Sequence, residues 1–535
     1  MADRRFVDVK VSQGTLRGFV EENVLGGEHF SFKGIAYAKP PIGPLRFKDP
    51  LPPDSWFGVK DALEYGGKCA HNDFIFNESV GGDDCLYLNV HTNDLKPSKK
   101  RAVMIWIHGG AFLYGSGNND MYGPDFFVKK DVILVTINYR LGILGFLNLE
   151  HEEAPGNQGL KDQVMALKWV KENVENFGGD SNNITIFGES AGAASVHYLC
   201  LSPLADGLFH KAIAQSGVVI NPWAFVYDPK RFALEVTAKL GETSTDPKKM
   251  VEFLRTVDTK VLINTQTKLL SDKKNMQLQV MFPFGPGMDI KSPNPFFPKP
   301  LTEAARAGVK VPLMLGYNSD EGIFLLTSVK ENDFEYFNNN LKDVLHPWIL
   351  EKLKQQGVSI DEFRRIYFGD NPLKKENATE LLKVYFDDAY FVQGIHEAAD
   401  IQLETSKNPT YLYKFSYDNG NSLLKKAFGV NFPGTCHGDE LFFLFNANMA
   451  RALDIPPPQP GTTDRQVSEC LLTMWTNFAK TGNPTPTTNE LIPITWQPLK
   501  KGEFCNYLNI NKELRNETIR KGEQKWEWRS MKNKL

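Results

Sequence analysis

The sequence has 535 residues, of which 41% are hydrophobic and 23% charged, and its formal net charge is −3 at neutral pH. This composition is typical of a globular protein with enough apolar material for a large core. The balanced charge argues against a protein that binds nucleic acid or an anionic membrane surface through electrostatics.

The N-terminal segment, MADRRFVDVKVSQGTLRGF, lacks the apolar stretch of a secretory signal peptide. No apolar run approaches the roughly 18 residues of a membrane-spanning helix. We therefore expect a cytoplasmic protein that does not bind membranes. In that compartment the six cysteines are expected to be free thiols. Cys69 and Cys85 could close a small loop only under oxidising conditions.

Strand-like and helix-like segments alternate along the chain. Residues 6–22 alternate in polarity and turn at Gly14, which predicts an antiparallel hairpin at a sheet edge. Continuous apolar runs predict strands buried on both faces of a mainly parallel sheet. These strands are predicted at 102–107, 131–140 and 184–187 and near 211, 311 and 410. A helix is predicted between the second and third of them and is stopped by Gly178.

Two charged stretches, 228–310 and 330–405, have amphipathic helical patterns. Because sheet strands reappear after each stretch, we interpret them as insertions that cap the sheet. The whole chain, 1–535, is then one α/β domain. Apolar residues from Val467 to Phe478 predict a further core helix near the C-terminus.

The stretch NITIFGESAGAASVHYL at 183–199 places Ser190 between a predicted strand and a predicted helix. Gly188 and Gly192 flank the serine in a G-x-S-x-G pattern. Side chains at these two positions would collide with the neighbouring elements in so tight a turn. The pattern is typical of the nucleophile elbow, which exposes a serine hydroxyl above a sheet.

An exposed serine needs a base, and the base needs an acid that orients it. In α/β-hydrolases the acid and then the histidine follow the serine in the chain. Of the histidines beyond residue 330, His437 is favoured because it lies in a Gly-flanked loop after a strand, unlike His346 and His396. Spacing alone leaves four candidate acids, which are Asp320, Glu321, Asp439 and Glu440.

The oxyanion of an ester-cleaving reaction needs N–H donors that are already in place. One donor is expected from Ala191, the residue after the nucleophile. Further donors are expected from the Gly-rich segment WIHGGAFLYGSG at 106–117, which follows a predicted strand.

Together these motifs resemble the type-B carboxylesterase family, and the chain looks most like the insect α-esterases, which are intracellular. The matching stretches include FKGIAYAKPPIGPLRF, DDCLYLNV, HGGAF, NYRLGILGFL, FGGDSNNITIFGESAGA, NSDEGIF, CHGDEL and FAKTGNP. The resemblance implies the α/β-hydrolase fold, with a large, mostly parallel sheet and helical insertions that cap an active-site gorge. It also implies Glu321 as the acid, and Gly110, Ala111 and Ala191 as oxyanion donors, with Gly109 shaping their loop.

Two features depart from the family pattern. The family loop often has a third glycine where this chain has Ala111, whose methyl group would cost about 1–2 kcal/mol in a left-handed conformation. The choline-binding tryptophan of cholinesterases has no counterpart between Cys69 and Cys85. Choline esters are therefore not expected as main substrates. Trp223 and Phe282 match positions that border the acyl pocket, although core packing is an equal alternative for Phe282.

The sequence therefore predicts a serine carboxylesterase for apolar small-molecule esters. Ser190, His437 and Glu321 are its expected catalytic residues, and neither a metal nor an organic cofactor is implied. Detoxification of insecticides and metabolism of lipid or hormone esters are the expected roles, in a monomer or weak homo-oligomer. The alternative is a protein that sequesters organophosphates or carbamates covalently with little turnover. A non-catalytic adhesion protein is disfavoured because the nucleophile is present.

Overall fold

A thirteen-stranded sheet organises the protein, in a computed structural model that describes residues 5–534 except 74, 76, 77, 273–278 and 280. The described strands, including two short separate pairs, are β1 (Phe6–Val11), β2 (Gly14–Glu22), β3 (Glu28–Ala36), β4 (Val59–Asp61), β5 (His71–Asn72), β6 (Ser79–Val80), β7 (Tyr87–Thr92), β8 (Arg101–Ile107), β9 (Ile133–Ile137), β10 (Asn148–His151), β11 (Ala154–Pro155), β12 (Gly179–Glu189), β13 (Lys211–Gln215), β14 (Leu313–Asn318), β15 (Thr410–Phe415), β16 (Phe504–Ile510) and β17 (Leu514–Arg520).

The strand order is β1-β2-β3-β7-β9-β8-β12-β13-β14-β15-β16-β17, with β4 paired to β2. Neighbouring strands from β9 to β16 run parallel. The pairs at both ends of the sheet are antiparallel, including the predicted hairpin β1–β2. The predicted α/β class with a mostly parallel sheet is therefore confirmed.

Helices cover both faces of this sheet. The described α-helices span Asp125–Val128, Gly142–Phe146, Gln158–Asn173, Ala191–Leu201, Pro229–Lys239, Pro247–Thr256, Thr259–Asp272, Leu301–Arg306, Phe334–Asn339, Leu341–Val344, Pro347–Gln356, Ile360–Phe368, Lys375–Asp387, Gln393–Thr405, Leu423–Ala427, Leu441–Leu444, Asn448–Ala452, Thr463–Thr481 and Trp528–Lys532. Helices occupy both predicted insertions, while the assignment of the whole chain to one domain stays a prediction. Among the described residues, no helix is both long and apolar enough to span a membrane.

Successive residues of the central strands point to opposite faces, and both faces are buried. In β8, Val103, Ile105 and Ile107 belong to one core, whereas Met104 and Trp106 belong to the other. The first core contains residues of the helices Gln158–Asn173 and Ala191–Leu201, and the second contains those of Thr463–Thr481. This double burial explains why the central strands read as continuous apolar runs.

Two local expectations need correction. The strand predicted at 184–187 extends from Gly179 to Glu189, because the polar residues before Ile184 continue the chain along β8 through a shift in register. Cys69 and Cys85 form a disulfide with a Cα–Cα distance of 4.8 Å, so the expected free thiols are wrong for this pair. The intervening chain folds back through the pairing of Cys69 with Gly82, which brings the two cysteines together.

Candidate active site

Ser190 lies on the sharp turn between β12 and the helix Ala191–Leu201. Its φ of 58° and ψ of −124° are strained for a residue with a side chain. A Cβ atom at Gly192 would lie 2.0 Å from the carbonyl oxygen of Ile107, and one at Gly188 would lie 2.5 Å from the same atom. Both glycines are therefore required for the helix to cross β8 this closely, as the elbow pattern predicts.

His437 and Glu321 come together at this turn. The Nδ1 atom of His437 lies 2.6 Å from Glu321 Oε2, and both residues are buried. The other oxygen of Glu321 accepts a hydrogen bond from the backbone N–H of Asn318 at 2.7 Å. Ser190 and His437 line the same cavity. The chain thus brings the three predicted residues to one site from separate segments: Ser190 and Glu321 follow β12 and β14, and His437 lies in the long segment after β15.

The remaining candidate acids have other partners. Asp320 forms an ion pair with Lys383, with 2.6 Å between Oδ1 and Nζ. Asp439 accepts the backbone N–H of Cys436 at 2.7 Å. Glu440 accepts hydrogen bonds from the side-chain amides of Gln215 and Asn318. The geometry therefore distinguishes Glu321 from carboxylates that spacing alone cannot separate from it.

Glu189, the residue before the serine, contacts the opposite nitrogen of the histidine. Its Oε1 atom lies 3.0 Å from His437 Nε2. Burial lowers the pKa of His437, but the negative charges of Glu189 and Glu321 outweigh it and raise that pKa to about 9. Burial raises the pKa of Glu189 to about 8, although the positive charge of His437 opposes this rise. The imidazole is therefore strongly biased toward its charged form.

The glycine loop after β8 lies against the nucleophile. Gly110 and Ala111 line the cavity together with Ser190. Gly110 has a φ of 102°, and a Cβ atom there would lie 2.1 Å from the carbonyl oxygen of Tyr114. Ala111 has a φ of 54°, so it adopts the left-handed conformation that penalises its methyl group. Ala191, the third predicted donor, begins the helix directly after Ser190 and is buried.

Aromatic side chains line the cavity, and this aromatic wall includes Trp223 and Phe282, the two residues expected to border the acyl pocket. Trp223 donates its Nε1 hydrogen to the carbonyl oxygen of Tyr390 at 2.9 Å. Phe324 stacks on the His437 ring with 5.0 Å between centroids, and Phe391 contacts the same ring at 4.8 Å. The aromatic wall therefore packs directly on the imidazole.

Sequence reasoning missed three of these contacts. The pairing of Glu189 with His437 has no signal beyond its place next to the nucleophile. Phe324 follows Glu321 by three residues, which could have suggested that it lies near the histidine. Phe391 lies in a π-helical turn, Asp388–Val392, a feature that often marks functional sites but that the sequence does not reveal.

Serine hydrolases are the class of enzyme that this combination of sheet, turn and paired histidine defines. A model described as "Carboxylesterase family" matches residues 6–528, so the chain belongs to the carboxylesterase family. It is a serine carboxylesterase that hydrolyses carboxylic esters, and the predicted family membership is confirmed.

Several insect esterases are similar to the chain. It is 34% identical to a juvenile hormone esterase of Tribolium castaneum, over 94% of this chain and 88% of the relative. It is 32% identical to esterase FE4 of Myzus persicae, over 96% of this chain and 91% of that protein. The crystal structure of juvenile hormone esterase from Manduca sexta, with OTFP covalently attached, superposes with a TM-score of 0.85 at 27% identity, covering 99% of both chains. The α/β-hydrolase fold follows from this likeness.

Proposed function

We propose that this carboxylesterase hydrolyses neutral, apolar small-molecule esters through an acyl-enzyme formed on Ser190. The observation that carries the proposal is the pairing of His437 with Glu321 at 2.6 Å, on the same cavity as Ser190. Ser190 Oγ attacks the ester carbonyl while His437 Nε2 accepts its proton. Glu321 keeps the proton on Nδ1 and stabilises the charged imidazole.

The negative charge of the tetrahedral intermediate falls on the former carbonyl oxygen of the ester. The N–H groups of Gly110, Ala111 and Ala191 are the proposed donors to it, and each such donor contributes about 100- to 1,000-fold in rate. His437 then returns the proton to the departing alcohol. Water repeats the attack on the acyl-enzyme and releases the acid, which needs no metal or organic cofactor.

The cavity supports an apolar substrate. Apolar side chains from the C-terminal part of the chain also line it, namely Leu423, Leu424, Phe428, Leu441, Phe442 and Met449. Together with the aromatic wall they favour large apolar groups on the ester. Asp73, Asp120 and Glu189 also line the cavity, together with Lys68, which pairs with Asp120 at 2.6 Å. The acidic groups outnumber this lysine, which disfavours anionic esters.

Substitution of Ser190 by alanine tests the chemistry. We expect Ser190→Ala to lower kcat for a neutral nitrophenyl ester by about 10⁴- to 10⁶-fold. Ser195→Ala is the matched control, because Ser195 lies on the same helix but accepts a hydrogen bond from Gln163 at 3.1 Å. Activity that survives in Ser190→Ala would reject the proposal. A panel of neutral and anionic esters of equal acyl length then tests the substrate class, with higher kcat/KM expected for the neutral esters.

Three physiological roles are proposed. Hydrolysis of a hormone or lipid ester is supported by the similarity to juvenile hormone esterases. Detoxification of insecticides is the second proposed role. Covalent sequestration of organophosphates or carbamates is the third candidate, and the Manduca sexta structure, with OTFP covalently attached, shows that a similar protein can hold a small molecule covalently. A stoichiometric burst of leaving group with negligible steady-state release would favour sequestration over detoxification.

The cytoplasmic localisation also stays a proposal. The Cys69–Cys85 disulfide weighs against it, because such bonds persist mainly in oxidising compartments. Fractionation of cells that express the full chain, with detection of the protein in the cytosol or in the medium, decides between the two.

A further inference from the structure

Three side chains at the antiparallel end of the sheet form a polar cluster. They lie on β2, β3 and β7, whereas Ser190 follows β12. Glu21 on β2 and His29 on β3 are direct cross-strand partners. His91 on β7 is paired with Ser31, which lies two residues beyond His29 and therefore on the same face. Within the described residues, a ligand atom from each of Glu21, His29 and His91 lies within 4.8 Å of the other two.

His29 is the unexplained member of this cluster. Only 3% of it is exposed, yet neither of its ring nitrogens has a hydrogen-bond partner in the part of the chain that the structure describes. Its Nε2 atom lies 3.6 Å from Glu21 Oε2, which is too long for a hydrogen bond. Buried polar atoms are nearly always satisfied, because an unpaired one loses its hydration without compensation. His29 therefore points to an additional partner.

His91 is held ready to bind through its second nitrogen. Its Nδ1 atom forms a hydrogen bond with Ser31 Oγ at 2.9 Å. Metal-binding histidines commonly use one ring nitrogen in this way, which fixes the tautomer and leaves the other nitrogen as the ligand.

We propose that Glu21, His29 and His91 form a binding site for a divalent transition metal of the Zn²⁺ class. Two imidazoles and one carboxylate are a ligand set that zinc accepts, with a further position left for water. Zinc bonds of about 2.0–2.2 Å place tetrahedral ligand atoms about 3.3–3.6 Å apart. The side chains must therefore move inward by about 1 Å from their present separation of up to 4.8 Å.

The charges around the cluster set its affinity. Lys33 Nζ lies 2.6 Å from Glu21 Oε1, so this lysine holds one oxygen and leaves Oε2 to face His29. Buried Asp125 adds a second negative charge that acts on His29. The two carboxylates and one ammonium leave a net negative charge, which favours a cation. Since Lys33 competes for Glu21, its replacement by glutamine should strengthen metal binding.

The site joins three strands and lies outside the catalytic cavity, so its proposed role is structural. It does not depend on the proposed catalytic mechanism. Binding a metal to the native state alone raises the melting temperature, because unfolding must then release the metal.

Zinc binding by the purified full-length protein tests the proposal. After removal of metals with a chelator, the protein is dialysed against Zn²⁺ and its metal content is measured by mass spectrometry. We expect one equivalent of zinc in the wild type and an affinity lower by more than about 100-fold in His29→Gln. His151→Gln is the matched control, since His151 lies on β10 in a separate two-stranded sheet. It should bind zinc as the wild type does.

Titration of the active serine with a fluorophosphonate shows whether each variant is folded. Should His29→Gln fail to fold, Glu21→Gln provides the same test at a more exposed position. Lys33→Gln is its counterpart, because this substitution should strengthen zinc binding rather than weaken it. Weak binding in Glu21→Gln with tighter binding in Lys33→Gln supports the site. Absence of zinc from the wild type, or equal binding by the wild type and His29→Gln, overturns the proposal.

Discussion

Replacement of Glu189 by glutamine should shift the pH dependence of the enzyme. The carboxylate of Glu189 lies 3.0 Å from His437 Nε2 and helps raise the pKa of that histidine to about 9. Glutamine has nearly the same shape but no charge, so Glu189→Gln lowers the pKa of His437. Because the base must be neutral to accept the serine proton, the acid limb of kcat/KM should move to lower pH.

The size of this shift follows from the distance. Two unit charges 3.0 Å apart interact by about 5 kcal/mol at an effective dielectric constant of about 20, which corresponds to about four pKa units as an upper limit. The pKa of Glu189 is itself raised to about 8, so the two groups titrate as a coupled pair and their interaction is divided between them. We therefore expect the limb to move by about one to two pH units.

The assay is kcat/KM for a neutral nitrophenyl ester between pH 5 and 10, normalised to the concentration of titratable serine. Glu440→Gln is the control. Glu440 also raises the pKa of His437, but less than Glu189 does, so its replacement should move the acid limb less. An acid limb that stays in place in Glu189→Gln, or that moves to higher pH, would refute the electrostatic reasoning.

Three further predictions concern the elements around the site. Gly110→Ala should abolish activity, because the new Cβ would lie 2.1 Å from the carbonyl oxygen of Tyr114 in a left-handed backbone; a variant with normal kcat would contradict the account of the loop. Cys69→Ala should lower the free energy of unfolding by about 3 kcal/mol, since the bridge closes a loop with a sequence separation of 16. Urea denaturation measures this change, and a value below about 1 kcal/mol would show that the bridge hardly constrains the unfolded chain. Lys383→Met should lower kcat more than it raises KM, because Lys383 pairs with Asp320 beside Glu321. Steady-state kinetics measures both constants, and an unchanged kcat would show that the Lys383–Asp320 pair does not position Glu321.

Much of the fold could be predicted because local patterns agree with it. The central strands are buried on both faces, so their sequences are uniformly apolar, and the Ser190 turn needs glycines that are visible in the sequence. The helix Thr463–Thr481 shows its apolar stripe and ends at Gly482, which has a φ of 78°. These features depend on the residues of one segment only.

The remainder depends on contacts between distant segments. Spacing along the chain does not separate the four candidate acids from one another. Only their contacts in the folded protein identify Glu321 as the partner of His437. The disulfide was not expected because the sequence argument rested on compartment rather than on geometry. Glu21, His29 and His91 lie on three different strands, so no sequence motif indicates that they form a cluster.

Mass spectrometry of the fluorophosphonate-inactivated enzyme tests the central claim most directly. One adduct on the peptide that contains Ser190, accumulating in step with the loss of ester hydrolysis, is the predicted result. Complete inactivation with the adduct on any other residue would contradict the assignment of the nucleophile.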